Sequence, residues 1–212
     1  MTSTPPKPRG RGRDEAALRT RILDAAFTVF MKSGYAATST LEIATRACVS
    51  KRELYALVGN KQEMLIACIK ERAMRLQVPA NLPVAHDREG LEHILANFGA
   101  RLLREVTDPA VVAIFRLAIA EAVHAPEVAQ TLDSIGREAS RAALRRIMVR
   151  AQAAGLLDGR PAELAEQFSG LLWGTWLVSL LLGVIERPSS REITARAREA
   201  AAAFLQLRPL GA

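Results

Sequence analysis

The side chains best placed for chemistry in this chain are cations, and they are unevenly spread. Residues 1–72 hold thirteen Lys or Arg against seven Asp or Glu, whereas residues 73–212 hold sixteen against fifteen, so nearly all of the net charge of +7 lies in the first third. A small basic part joined to a larger, near-neutral part points to a polyanion for the first and to something else for the second. Nucleic acid is the leading polyanion, with an anionic membrane surface as the alternative. Arg9, Arg11 and Arg13 alternate with Gly10 and Gly12 in a flexible basic arm over 1–14. Such an arm is either a solubilising tail or an extended strand of cations able to follow a narrow, negative minor groove.

Signals for bond-making chemistry are missing from the sequence. It contains no G-x-x-x-x-G-K-[ST], no G-x-G-x-x-G after a strand and no G-x-S-x-G. His86, His93 and His124 are scattered, without H-E-x-x-H, and Cys48 and Cys68 do not stand at a metal-ligand spacing. The expectation is therefore a protein that is not an enzyme and uses neither cofactor nor metal. Two cysteines are too few for a disulfide framework, and the charged N-terminus has no apolar run behind it, so a cytoplasmic location is expected.

The elements that must position the cations are helices. Apolar residues recur at i, i+3 and i+4 almost throughout, and the fold class this predicts is all-α. Leu18, Ile22, Ala25, Ala26, Val29 and Phe30 share one face of a first helix, which Gly34 should stop. Three short helices follow, each announced by an oxygen-bearing cap three residues before a Glu: Ser39 with Glu42, Ser50 with Glu53, and Asn60 with Glu63. Helix 2 is expected over 40–47 and helix 3 over 51–57, separated only by Cys48, Val49 and Ser50. Two short helices joined by so tight a turn, in the basic third of the chain, read as a helix-turn-helix.

The stretch RILDAAFTVFMKSGYAATSTLEIATRACVSKRELYALVGNKQEML resembles the N-terminal DNA-binding domain of the TetR family of transcriptional regulators along its whole length. Gly34-Tyr35, Thr38-Ser39-Thr40, Ile43-Ala44, Val49-Ser50, Leu54-Tyr55, and Lys61 with Leu65 carry the resemblance. Cys48, Glu53 and Val58 depart from it, standing where Gly, Thr and Phe are usual. The resemblance implies a dimeric regulator, expected to be a repressor, with a DNA-binding domain over 15–76 that includes a linking helix. Lys51 and Arg52 would then reach base edges from the start of helix 3, since their donors match guanine acceptors in the major groove. Thr38, Ser39, Thr40, Ser50, Tyr55 and Lys61 complete the expected contact set, mostly to phosphate.

Residues 77–90, with two prolines and no periodicity, are a connector, and 91–212 should form a helical bundle for effector binding and dimerisation. The run FRLAIAEAVHAPEVAQTL resembles the multidrug-efflux branch of the same family. That similarity does not fix the ligand; a small, largely apolar effector is expected of the TetR-type reading, and Phe98, Leu102, Phe115, Ile119, Phe168 and Leu172 are the large side chains expected to line its pocket. Residues 168–185 carry no charge, which allows either a membrane span or a buried helix at a subunit contact. The second is preferred, with 162–185 and 190–207 pairing across a homodimer, no membrane as partner, and Trp173 or Trp176 deeply buried. A membrane-attached basic adaptor and a ligand-binding bundle without a DNA role are the rival readings.

Overall fold

The computed structural model describes residues 11–75, 84–123 and 125–209, and among them every regular element is a helix. The first four are α1 (Arg11–Ala37), α2 (Thr40–Ala47), α3 (Lys51–Val58) and α4 (Lys61–Arg75). α1 begins earlier than expected, so residues 11–14 of the anticipated arm form its first turn. Asp14 in that turn favours the positive helix end, and a single glycine such as Gly12 costs only about 1 kcal/mol against alanine. Gly34, at φ 75 and ψ 168, interrupts the helix at the position where the sequence predicts a stop. α2 has its expected bounds, and α3 runs one residue further, to Val58.

The turn between α2 and α3 depends on Cys48, the one non-glycine residue at positive φ among the described residues (φ 51, ψ 49). The left-handed conformation lets the Val49 N–H reach Ala44 O at 3.0 Å and close the end of α2. A side chain there costs about 1 kcal/mol. Ile22, Leu23 and Phe30 of α1, Ile43 of α2, Leu54 of α3, and Met64 and Leu65 of α4 make the core of this head.

The remaining elements are α5 (Arg88–Val106), α6 (Pro109–Ala120), α7 (Pro126–Thr131), a π-helical segment (Leu132–Arg137), α8 (Glu138–Ala153), α9 (Pro161–Trp173), α10 (Trp176–Leu182) and α11 (Ser190–Gln206). Pro109, Pro126 and Pro161 stand in the first turns of α6, α7 and α9, where a missing N–H breaks nothing. The Asp87 carboxylate accepts from the Gly90 N–H and starts α5 three residues inside the expected connector. Leu91, Leu95, Phe98, Phe168, Leu172, Ala197 and Phe204 belong to the bundle core, with Phe168 and Phe204 edge to face at 5.7 Å. A Cβ on Gly99 would lie 2.9 Å from Leu172 Cδ1, so a larger residue on α5 would require the Leu172 side chain of α9 to shift.

The single helix expected over 162–185 is two helices. Gly174 takes φ 46 and ψ −125, and the Arg196 guanidinium of α11 donates to Leu171 O at 2.6 Å and Leu172 O at 3.0 Å, capping the end of α9. A Cβ at position 174 would collide with the Arg196 guanidinium, so glycine and arginine together make the break. Trp173 and Trp176 consequently lie on different helices, and both are half-buried in the single chain rather than one being deeply buried. Among the described residues no helix is long and apolar enough to cross a membrane.

The expected division at 77–90 separates the chain but not the packing. Ile114, Leu117 and Ala118 of α6 and Val128 of α7 belong to the same buried cluster as Leu23, Leu65 and Ile69 of the head.

Candidate functional site

Helix caps account for much of the polar sequence around the turn. Ser39 Oγ accepts from the Glu42 N–H at 3.1 Å and begins α2. Ser50 begins α3 with a reciprocal box: its Oγ accepts from the Glu53 N–H, and Glu53 Oε2 accepts from both the Ser50 N–H and the Ser50 hydroxyl. Those two bonds, the hydroxyl's first and the backbone's second, hold the Glu53 carboxyl below the usual carboxylate range. Asn60 and Glu63 repeat the box at the start of α4.

Phosphate oxygens only accept, so a hydroxyl must offer them its one hydrogen. Ser50 gives its hydrogen to Glu53, and Thr38, buried, gives its own to Gly34 O at 2.6 Å. Both were expected at the DNA surface, and both instead hold the head together. Lys61 departs from its expected phosphate role more sharply. Its ammonium donates to Tyr35 O at 2.8 Å, Thr38 O at 3.1 Å and Ala36 O at 3.3 Å, using all three hydrogens on the carbonyls that close α1, and it lies 4.4 Å from the Tyr35 ring centroid. Burial first, then the Glu121 and Glu127 carboxylates, push the Tyr35 hydroxyl up from its ordinary value.

Four residues remain on the outer face of α3. Lys51, Arg52, Tyr55 and Ala56 are exposed, while Leu54 between them is fully buried. Lys51 and Arg52 have no hydrogen bond or ion pair to a described residue. The Tyr55 hydroxyl lies 3.2 Å from Thr40 Oγ1, so one of the two hydroxyls donates to the other and one hydrogen of the pair stays available outward. Ser39, whose oxygen already accepts, keeps its hydrogen and lines a shallow groove on α2 with Leu41, Thr45 and Arg46. Sequence reasoning passed over Ala56 and Arg46. The first is legible as the position four after Arg52 on the same helix face, the second as the exposed cation in the last turn of α2. Arg11 and Arg13 fall in the first turn of α1, and Arg9 lies outside the described residues.

A second site opens between head and bundle, a cavity of about 170 Å³. Ile69 of α4, Leu102 of α5, Ile114 and Phe115 of α6, and Trp173 of α9 form apolar walls, and Arg137, Ser140, Arg141 and Ser169 add the polar groups. Of the expected lining, Leu102 and Phe115 are present. Ile119 is mostly exposed and borders an outer depression next to Phe115. Phe98, Phe168 and Leu172 belong instead to the packed core that includes Ala197 and Phe204 of α11, because an apolar stripe at helical spacing is the same whether it meets a cavity or a neighbouring helix. Arg137 and Arg141 went unread, although their spacing of four places both on one side of a helix.

Two family profiles match the chain: residues 22–68 the one described as bacterial regulatory proteins, tetR family, and residues 93–207 the one described as AefR-like transcriptional repressor, C-terminal domain. The chain is 25% identical over 180 residues to the HTH-type transcriptional repressor KstR of Rhodococcus jostii, spanning 84% of this chain and 78% of that one. Among solved structures, a TetR transcriptional regulator from Agrobacterium tumefaciens is 27% identical with a TM-score of 0.74, over 90% of this chain and 94% of that one. The flavonoid-responsive regulator FrrA is also 27% identical, with a TM-score of 0.77 over 93% of this chain and all of the other.

Proposed function

The chain belongs to the TetR family of DNA-binding transcriptional regulators, and from that premise we propose that it acts in the cytoplasm as a homodimeric repressor released from its operator by a small, largely apolar molecule. In this reading Lys51 and Arg52 read base edges in the major groove, and Ala56 offers its methyl group beside them. The Tyr55–Thr40 hydroxyl pair and Ser39 hold phosphates and set the register of α3. Val178, Leu182 and Val184, exposed on and just after α10, support burial of that surface by a second copy.

The observation that carries the ligand-responsive part is the position of Ile69. It packs in the head core and also lines the cavity, so a molecule that fills the cavity presses on the helix that holds α3 in place. Two head positions that no longer match successive major grooves, about 34–36 Å apart in the simplest arrangement, would lose the operator.

Footprinting the purified protein on DNA beside its own gene, followed by titration with hydrophobic compounds, tests this reading. The expected result is a two-fold symmetric footprint, with compounds that raise Tm and weaken operator binding over the same concentration range. Compounds that raise Tm while leaving operator affinity unchanged would contradict the coupling.

A further inference from the structure

We propose that the effector carries one negative charge, a carboxylate on an apolar body, and that Arg141 with Arg137 receives it at the cavity. This rests on the cavity being the effector site. The cavity wall includes both arginines but neither of the acids nearest them, Asp133 and Glu138. Those acids are engaged elsewhere. Asp133 Oδ1 pairs with Arg137 Nη1 at 2.8 Å. Arg141 Nη1 stands 3.8 Å from both Asp133 and Glu138, too far for a hydrogen bond, and Glu138 is held by Arg145. Three guanidinium groups thus share two carboxylates, and the arginine left without a hydrogen-bonded acid borders an apolar chamber.

A carboxylate answers that arrangement in charge and shape. It accepts two parallel N–H bonds from a guanidinium, while the apolar body lies against Leu102, Phe115 and Trp173. An alcohol would bring no charge to Arg141, and an amine would be repelled by it. Arg137 and Arg141 both have side chains about half exposed, which places the charged end toward solvent and the apolar end inward. Asp133 and Arg137 belong to the π-helical segment, which packs on α4. An incoming carboxylate that replaces Asp133 at the arginines therefore acts on an element in contact with the head.

The test compares molecules of the same body and different charge: decanoate, decanol and decylamine, and 2-naphthoate against 2-naphthylmethanol. Tm and operator release are measured for the full chain, Arg141→Gln and Asp133→Asn. The acids should act at concentrations at least about tenfold below the alcohols. Arg141→Gln should remove that advantage, so that each acid acts at about the same concentration as its alcohol. Asp133→Asn should strengthen the acids alone, because it withdraws their competitor. If alcohols or amine match the acids, or Arg141→Gln leaves the acid response intact, the anionic assignment is overturned and the cavity reading survives. If no compound of either charge raises Tm or releases DNA, both fall together.

Discussion

On α3, Lys51 and Arg52 stand exposed without a partner among the described residues, whereas three cations of the bundle are tied to backbone. Arg88 donates to Leu156 O, Leu205 O and Arg208 O; Arg116 donates to Leu180 O and Leu181 O; Arg196 caps α9. Lys61, in the head, behaves like the bundle cations. Residue type does not separate a cation that recognises a polyanion from one that ends a helix. What each side chain reaches does: the tied cations, Lys61 and Arg88 at helix starts among them, meet carbonyls at the end of another helix or in the loop beside it, where orphan acceptors collect, while Lys51 and Arg52 meet none among the described residues. The same holds for apolar residues, since Phe168 and Phe115 are alike in sequence and differ only in what they face.

The largest effect should separate those two phenylalanines. Phe168→Ala removes a ring buried against Phe204 and should lower stability by about 3–5 kcal/mol, whereas Phe115→Ala, at the cavity wall, should lose far less and change the ligand response. Urea unfolding measures both, and equal losses would erase the distinction between core and cavity. Lys61→Met should come next, at about 1.5–3 kcal/mol, because three carbonyls lose a charged donor. The salt dependence of operator binding by the folded protein should not change. A shallower slope, by roughly one unit, would return Lys61 to the phosphate-binding set.

Cys48→Gly should stabilise the head by about 0.5–1 kcal/mol, since glycine adopts φ 51 without steric cost but has more freedom to lose. A lower Tm would show that the thiol makes contacts of its own. The smallest effect concerns pH. The Glu53 carboxyl is held low by Ser50, so its contribution is full above the ordinary carboxylate range of about 4 to 4.5 and fades as pH falls through the lower folded value. Glu53→Gln should therefore reduce stability at neutral pH and converge with the parent chain in strong acid. Equal stability of the two proteins at neutral pH would show that the box contributes nothing.

The head was more legible than the bundle for physical reasons. Ser39, Ser50 and Asn60 announce helix starts through bonds spanning only three residues, so local sequence contains the whole device. Gly34 and the turn at Cys48 are equally local. The break at Gly174 depends on Arg196, twenty-two residues away, and the triple bond of Lys61 depends on carbonyls more than twenty residues upstream; neither partner is visible at helical spacing. The family resemblance puts Thr38 and Ser50 among the DNA contacts, and nothing at helical spacing shows where their hydroxyls point. Their hydrogens were already engaged by Gly34 and Glu53.

The central claim, that α3 reads the operator through its unpartnered cations, is tested most directly by the Lys51→Ala, Arg52→Ala double variant in a binding selection against randomised DNA. The account predicts unchanged helical content and Tm, operator affinity reduced by about 2–6 kcal/mol, and relaxed preference at the base pairs that the two side chains face. Retention of both affinity and sequence preference by a folded double variant would contradict it.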